Sequence, residues 1–121
     1  MNKKNIKVKE GTDGDFLIIC DHASNRIPKE YNNLGIRSEE LISHRAFDIG
    51  AADVAKELSN KLKCTLIMSN FSRLLIDPNR GIDDPTLIPK LSEGIKIKGN
   101  IGITNNGNDK ERLKRIRNFY L

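Results

Sequence analysis

The segment Cys20-Asp21-His22-Ala23-Ser24-Asn25-Arg26-Ile27-Pro28 sets an acid, an imidazole, a hydroxyl, an amide and a guanidinium directly behind the apolar run Phe16 to Ile19. It holds one of only 2 histidines in the chain. A neutral imidazole takes a divalent metal through either ring nitrogen, and a neighbouring acid such as Asp21 can ligate beside it or orient the ring. The same residues also suit a loop in which His22 and Asn25 satisfy backbone groups.

Two further groupings carry chemistry. His44 and Asp48 stand four apart, so on a helix they share a face and can bond or project together; alternatively, Asp48 caps the helix that follows and His44 packs. In Ser72-Arg73-Leu74-Leu75-Ile76-Asp77-Pro78-Asn79-Arg80, two arginines flank an apolar run and an amide adjoins the second. A guanidinium grips a carboxylate with paired hydrogen bonds, and an amide can fix the rest of an amino-acid ligand. The competing reading is an Asp-Pro-Asn turn in which Asp77 pairs with Arg80 at the surface. Phosphate-cradling loops, dinucleotide glycine fingerprints, serine elbows and CxxC pairs are absent from the sequence. A Cys20–His22 nucleophile is a minor option, because residues two apart on an extended strand need not meet.

These groups need a scaffold. The 121 residues suit one domain, here 1–121 with a polar N-terminal segment over 1–15, and the balance of 37% hydrophobic to 31% charged residues excludes wholesale disorder. Ile6 to Lys9 alternates like an edge strand, and Phe16 to Cys20 reads as a strand buried on both faces. Residues 21–37 form a long polar connection. From Ile49, the positions Ala51, Val54, Ala55, Leu58 and Leu62 make one helical stripe suited to lying on a sheet. Cys64 to Met68 reads as the next buried strand, and Arg73 to Ile76 as a third extended piece. Residues 81–107, rich in glycine and proline, read as loop; a helix capped at Asn108 follows, with Leu113, Ile116, Phe119 and Tyr120 inward. Strand, helix, strand implies a parallel crossover, so the class is α/β: a partial mixed or mostly parallel sheet flanked by helices. In such sheets ligands gather beyond the carboxyl ends of the strands, where Asp21 to Pro28 would emerge.

A net charge of +5 admits anionic ligands, but with no Trp and 4 Phe and 2 Tyr the chain lacks a stacking surface for nucleic acid. No stretch is long enough for a membrane span or an export signal, and the 2 cysteines sit in or beside apolar strands, as buried thiols of a reducing compartment. Cytoplasmic location is expected, without nucleic-acid or membrane partners.

Together, CDHASNRIP, HRAFDIGAADVAKELS, SRLLIDPNR and the later KGN, in that order, resemble the N-formylglutamate amidohydrolase family, from about Phe16 onward. The resemblance implies the N-terminal half of a zinc-carboxypeptidase-like (phosphorylase/hydrolase-like) fold, related to aspartoacylases. It implies a divalent metal, zinc by preference, on His22 with Asp21 as its acidic neighbour, and hydrolysis of the amide of N-formyl-L-glutamate or a similar N-acyl amino acid, as in histidine catabolism. Arg73 would stabilise the oxyanion, and Asn79 with Arg80 would hold the substrate carboxylate. His44 and Asp48 match pocket-wall positions and join Arg73 as catalytic candidates. Carboxypeptidase-like enzymes usually carry Glu three residues after the histidine; Asn25 stands there and counts among the substrate-binding candidates. Further metal ligands and the general base belong to later family segments, so a homodimer or a separately encoded C-terminal half is an expected partner. The rival function is a noncatalytic module that binds carboxylates or a partner subunit.

Overall fold

Three strands make the main sheet of the computed structural model, which describes residues 3–120. They are β1 (Ile6–Lys9), β2 (Asp13–Cys20) and β3 (Cys64–Ser69), in the order β1-β3-β2. Strand β2 runs parallel to β3 and β1 antiparallel to it, so the sheet is mixed. Between β2 and β3 the chain includes α1 (Ser38–Leu41) and α2 (Ala51–Leu62), and α2 lies on both parallel strands.

The register explains which face α2 covers. Side chains paired across strands share a face, and neighbours along a strand alternate. The rows Lys7–Met68–Cys20 and Lys9–Leu66–Ile18 therefore face one way, and with Ala55 of α2 they enclose a small core of Cys20, Ala55, Leu66 and Met68. The row Val8–Ile67–Ile19 faces the other way, away from the helix.

Three expectations change here. Strand β2 is not buried on both faces: it ends the sheet, α2 covers one side only, and Phe16, Leu17 and Ile19 are 60%, 54% and 63% exposed. The stripe on α2 is also rotated, because Ala51, Ala52, Ala55 and Ser59 turn inward while Val54 and Leu58 overhang the edge beyond β2. Asp48 does not cap this helix. Gly50 occupies the cap position at φ 84, and the Asp48 carboxylate is engaged elsewhere.

The larger core lies beside the sheet, around Leu34, Phe71, Leu74, Leu75, Ile76, Leu87, Ile97 and Phe119. Arg73 to Ile76 is not a strand. The Ser72 hydroxyl accepts from the Leu74 N–H at 3.2 Å and the Leu75 N–H bonds the Ser72 carbonyl at 3.0 Å, folding the run into turns that carry its leucines inward. Residues 81–107 are largely loop as expected, with a small ribbon of β4 (Leu91–Ser92) and β5 (Ile95–Lys96). Glu93 and Gly94 between them both have positive φ, 45° and 82°, as a tight hairpin turn requires. Gly99 is fixed by contact: a Cβ there would lie 2.8 Å from the Cα of Leu34, itself held in a left-handed turn.

The last helix, α3 (Lys110–Arg115), is capped by Asp109 rather than Asn108; its carboxylate accepts from the Arg112 N–H at 3.0 Å. The helix widens over Ile116–Tyr120, and Phe119 meets Phe71 edge-on at 5.2 Å. Beneath it the Arg115 side chain is buried and bonds the carbonyl of Leu75 at 2.9 Å and Oδ1 of Asn100 at 2.6 Å. The Asn100 amide in turn donates to the carbonyls of Leu74 and Pro89, each at 2.7 Å. Both cysteines are buried and free, and no helix among the described residues is long and apolar enough to cross a membrane.

Candidate active site

Three loop segments converge at the carboxyl ends of β2 and β3, and backbone bonds pin them together. The Asp48 N–H donates to the His22 carbonyl at 3.0 Å, the Ser72 N–H to Arg26 at 2.7 Å, and the Arg73 N–H to Ala46 at 3.3 Å. The Ser72 hydroxyl, fully buried, donates to the same Ala46 carbonyl at 2.8 Å. His22, Asp48, Arg73 and Asp77 are thereby presented to one place, where α/β sheets collect ligands.

His22 is buried between two carboxylates. Its Nε2 lies 2.7 Å from Oδ1 of Asp77 and its Nδ1 3.3 Å from Oδ2 of Asp48. Arg73 spans both acids, at 3.1 Å from Asp48 and 3.6 Å from Asp77, and Arg80 approaches Asp77 at 3.7 Å. The backbone N–H of Asn79 also donates to Asp77 at 2.9 Å. A cleft of about 380 Å³ opens above them, lined by His44, Arg45, Asp48, Arg73, Asp77 and Arg80, with Leu91 to Glu93 of the ribbon among its other residues.

The electrostatics follow from these contacts. The hydrogen bond to Asp77 raises His22 above its ordinary 6.5; burial and the charge of Arg73 oppose this, while the charges of Asp77 and Asp48 add to it. Burial pushes Asp77 up, but the bonds from His22 and the Asn79 N–H, with the charges of His22 and Arg73, outweigh it and hold the carboxyl below its ordinary 3.8. The pair therefore favours imidazolium and carboxylate over the neutral forms.

The other sequence-derived candidates fall at varied distances from this centre. Asp48 and Arg73 are central. Arg80 is half-exposed at the cleft, and the Asp77–Arg80 contact of the turn reading exists alongside the cleft. His44 is on the wall and bonds Glu93 across it; residues around it form turns rather than a helix, so His44 and Asp48 do not share a helix face. His22 makes its ring contacts with Asp48 and Asp77, not with its neighbour Asp21, whose carbonyl accepts from the Ser69 hydroxyl. The Asn25 amide donates to the Leu41 carbonyl at 2.8 Å, the backbone-satisfying role. Sequence reasoning missed Asp77 as the partner of His22, and Arg45 and Glu93 as wall residues. For Asp77 the signal was its place after Leu74-Leu75-Ile76, which draws the acid inward with them.

The metal implied by resemblance meets a partial donor set. A buried carboxylate holding one nitrogen of an imidazole is what orients a metal-binding histidine. Asp77 does this at Nε2, which leaves Nδ1 beside the Asp48 carboxylate. Among the described residues no group of three or more His, Cys, Asp and Glu side chains is arranged to hold a metal ion. Catalytic zinc uses three protein ligands, so these residues alone do not make that site.

The fold and the cleft define a mixed α/β protein with a histidine-floored, arginine-lined site at the carboxyl ends of parallel strands. A model of the N-formylglutamate amidohydrolase family (FGase) matches residues 14–121, and the chain belongs to that family. The crystal structure of gene product Atu2144 from Agrobacterium tumefaciens is similar to it at 38% identity and a TM-score of 0.90, over 98% of this chain. The match takes up 46% of that chain, so the present sequence spans less than half the length of its structural relative. Comparison with curated proteins finds no match.

Proposed function

We propose that the cleft belongs to an amidohydrolase that cleaves the amide of N-formyl-L-glutamate or a similar N-acyl amino acid, releasing the amino acid and a small carboxylic acid. The observation that carries the reading is the pairing of two arginines with an acid-clamped histidine in one cleft. Arg73, braced by Asp48 and Asp77, is positioned to receive negative charge on the acyl oxygen. Arg80, half-exposed and loosely held, is available to grip a substrate carboxylate, with the Asn79 amide beside it. Asp77 holds the His22 ring, and Asp48 links that ring to Arg73.

A divalent metal, zinc by preference, is part of this proposal; it would be held by His22, with Asp48 and Asp21 nearby in sequence or space, and completed by donors outside the described residues. Bound there, it would supply an activated water. The test is release of formate from N-formyl-L-glutamate with zinc, with and without a polypeptide carrying the C-terminal half of a family member. Hydrolysis is expected only with that half, and Arg80→Ala should raise KM more than it lowers kcat. Full activity of the 121-residue chain alone would overturn the need for the second half.

A second reading is a noncatalytic carboxylate-binding module. What favours it is that both arginines of the anion site lie within this chain, whereas three metal donors do not converge among its described residues. It predicts carboxylate binding that a chelator leaves unchanged and that Arg80→Ala removes.

A further inference from the structure

We propose that His44 and Arg45 form an anion-binding position on the cleft wall, that the Glu93 carboxylate of the β4–β5 ribbon occupies it in the unliganded chain, and that the second carboxylate of a dicarboxylic ligand displaces it. The inference deepens the reading of Arg80 as the grip for one carboxylate and rests on that reading for the first contact. What it adds is the place where the second carboxylate goes and the residue that must leave.

Glu93 is held in a way that lets it go. It sits at the ribbon tip with φ 45°, in the left-handed region that suits glycine or asparagine and strains a glutamate. Strained residues of this kind gather at ligand sites and switches. Its carboxylate bonds the His44 imidazole, yet the two side chains are 60% and 59% exposed, so solvent screens the pair and the gain from it is small. The strands behind the tip, Leu91–Ser92 and Ile95–Lys96, are two residues each, and little pairing is lost when the tip moves. The other acids of the cleft lining, Asp48 and Asp77, are instead tied to the buried His22 and to Arg73.

The wall behind Glu93 has donors to spare. Arg45 directs Nη1 to Glu40 at 3.3 Å, but its Nη2 reaches the Glu93 carbonyl only at 3.5 Å. Its Nε is buried and has no hydrogen-bond partner among the described residues, which leaves the guanidinium short of acceptors. The bond from His44 holds the Glu93 carboxyl below its ordinary 4.5 against a desolvation that opposes it, and the charges of His44, Arg45 and Arg73 add to the effect. A ligand anion set at the same spot meets the same positive field. His44, Arg45, Arg73 and Arg80 line one cleft of about 380 Å³, which is room for a small molecule that meets two of these cations at once.

The probes are glutarate and pentanoate, which match in chain length and differ by one carboxylate, titrated into the 121-residue chain by isothermal calorimetry. A plug engaged for about two-thirds to nine-tenths of the time lowers apparent affinity about three- to tenfold. Glu93→Gln should therefore bind glutarate about three- to tenfold more tightly and pentanoate less than about twofold more tightly. In that background Arg45→Gln and His44→Gln should each weaken glutarate binding about threefold or more, toward that of pentanoate, with the fold retained by circular dichroism. His44 is the safer of the two for folding, because it is exposed. In the unaltered chain glutarate, and not pentanoate, should shift the amide resonances of Glu93 and Gly94. An equal gain for both probes, no gain, a gain that both wall variants leave intact, or no glutarate binding by either chain would each overturn the proposal. Failure of the proposed function reads out separately. Hydrolysis is not measured, so an inert chain still shows the exchange, and pentanoate binding that Arg80→Ala leaves unchanged would remove the Arg80 grip while the glutarate gain from Glu93→Gln stands.

Discussion

Replacing Arg115 with alanine should remove a large share of the stability of the fold. The guanidinium, 2% exposed, is the donor to the Leu75 carbonyl and to Oδ1 of Asn100, and it lies 4.9 Å from the centre of the Tyr31 ring. Its third bond, to Glu111 at 3.0 Å, matters less, because that carboxylate is 37% exposed and regains water when the arginine goes. Two buried acceptors are then left unpaired, at about 1–3 kcal/mol each, reduced where water enters the vacated space. The lost cation–π contact adds about 0.5–1 kcal/mol. The sum is about 2.5–7 kcal/mol before water entry reduces it, so about 3–5 kcal/mol is expected, out of a total of about 5–15 kcal/mol for an ordinary domain. Urea denaturation followed by far-UV circular dichroism should show the midpoint falling by roughly 2 M, given a slope of about 1–3 kcal/mol per molar urea. Arg117→Ala, exposed on the same terminal segment, serves as the control and should change stability by no more than about 0.5 kcal/mol. The Arg115→Ala, Asn100→Ala double variant should lose less than the two single losses added, since the second substitution removes an acceptor the first had orphaned. A midpoint for Arg115→Ala matching that of Arg117→Ala would refute the reasoning, and additive losses would show that Asn100 and Arg115 do not act together.

Three other outcomes are expected. The His22–Asp77 pair should give stability a plateau between about pH 4 and 6.5: the Asp77 contribution is present above its ordinary 3.8 and lost as pH falls through its lowered folded value, whereas the His22 contribution is present below its ordinary 6.5 and lost as pH rises through its raised one. Asp77→Asn should flatten both arms in a series of urea titrations against pH, and unchanged arms would sink the assignment. Gly99→Ala sets a Cβ against the Leu34 backbone and should destabilise by about 1–3 kcal/mol in the same urea assay; a neutral result would mean that the contact yields freely. Asp48→Asn keeps the shape but removes the charge shared by His22 and Arg73, so a nuclear magnetic resonance titration should show the His22 pKa moving down.

The sequence patterns that depend on local periodicity transferred well to the fold. The alternation of Ile6 to Lys9, the run ending at Cys20 and the strand from Cys64 each became a strand, and α2 lies where its apolar spacing placed it. Burial transferred less well, since composition records what a strand is built to touch: β2 reads as a central strand and stands at an edge. Arg73 to Ile76 misled for a related reason. A short apolar run is equally suited to a strand and to a buried turn, and the Ser72 hydroxyl decides between them through a contact that periodicity does not encode. At the site, His22, Arg73 and Arg80 stood out by residue type and spacing, and the structure brings all three around Asp77. Asp77 was hidden by its own turn motif, since Asp-Pro-Asn explains an aspartate without requiring a histidine from residue 22. KGN was legible only as a pattern, and the structure gives it a cause: Gly99 allows the chain to touch Leu34, and Asn100 ties the carbonyls of Leu74 and Pro89 to Arg115.

The bonds that floor the cleft have a consequence in time. His22 reaches Asp48 across 26 residues and Asp77 across 55, and the strands beneath them pair in parallel, which requires the α2 crossover to close first. Contacts of such separation repay their loop-closure entropy late, after nearer ones have formed. The cleft should therefore be among the last features to assemble in refolding, trailing the α2 helix and the hairpin turn at Glu93 and Gly94. A chain caught with its helices formed and its imidazole still in water would be folded by most optical probes and would have no site.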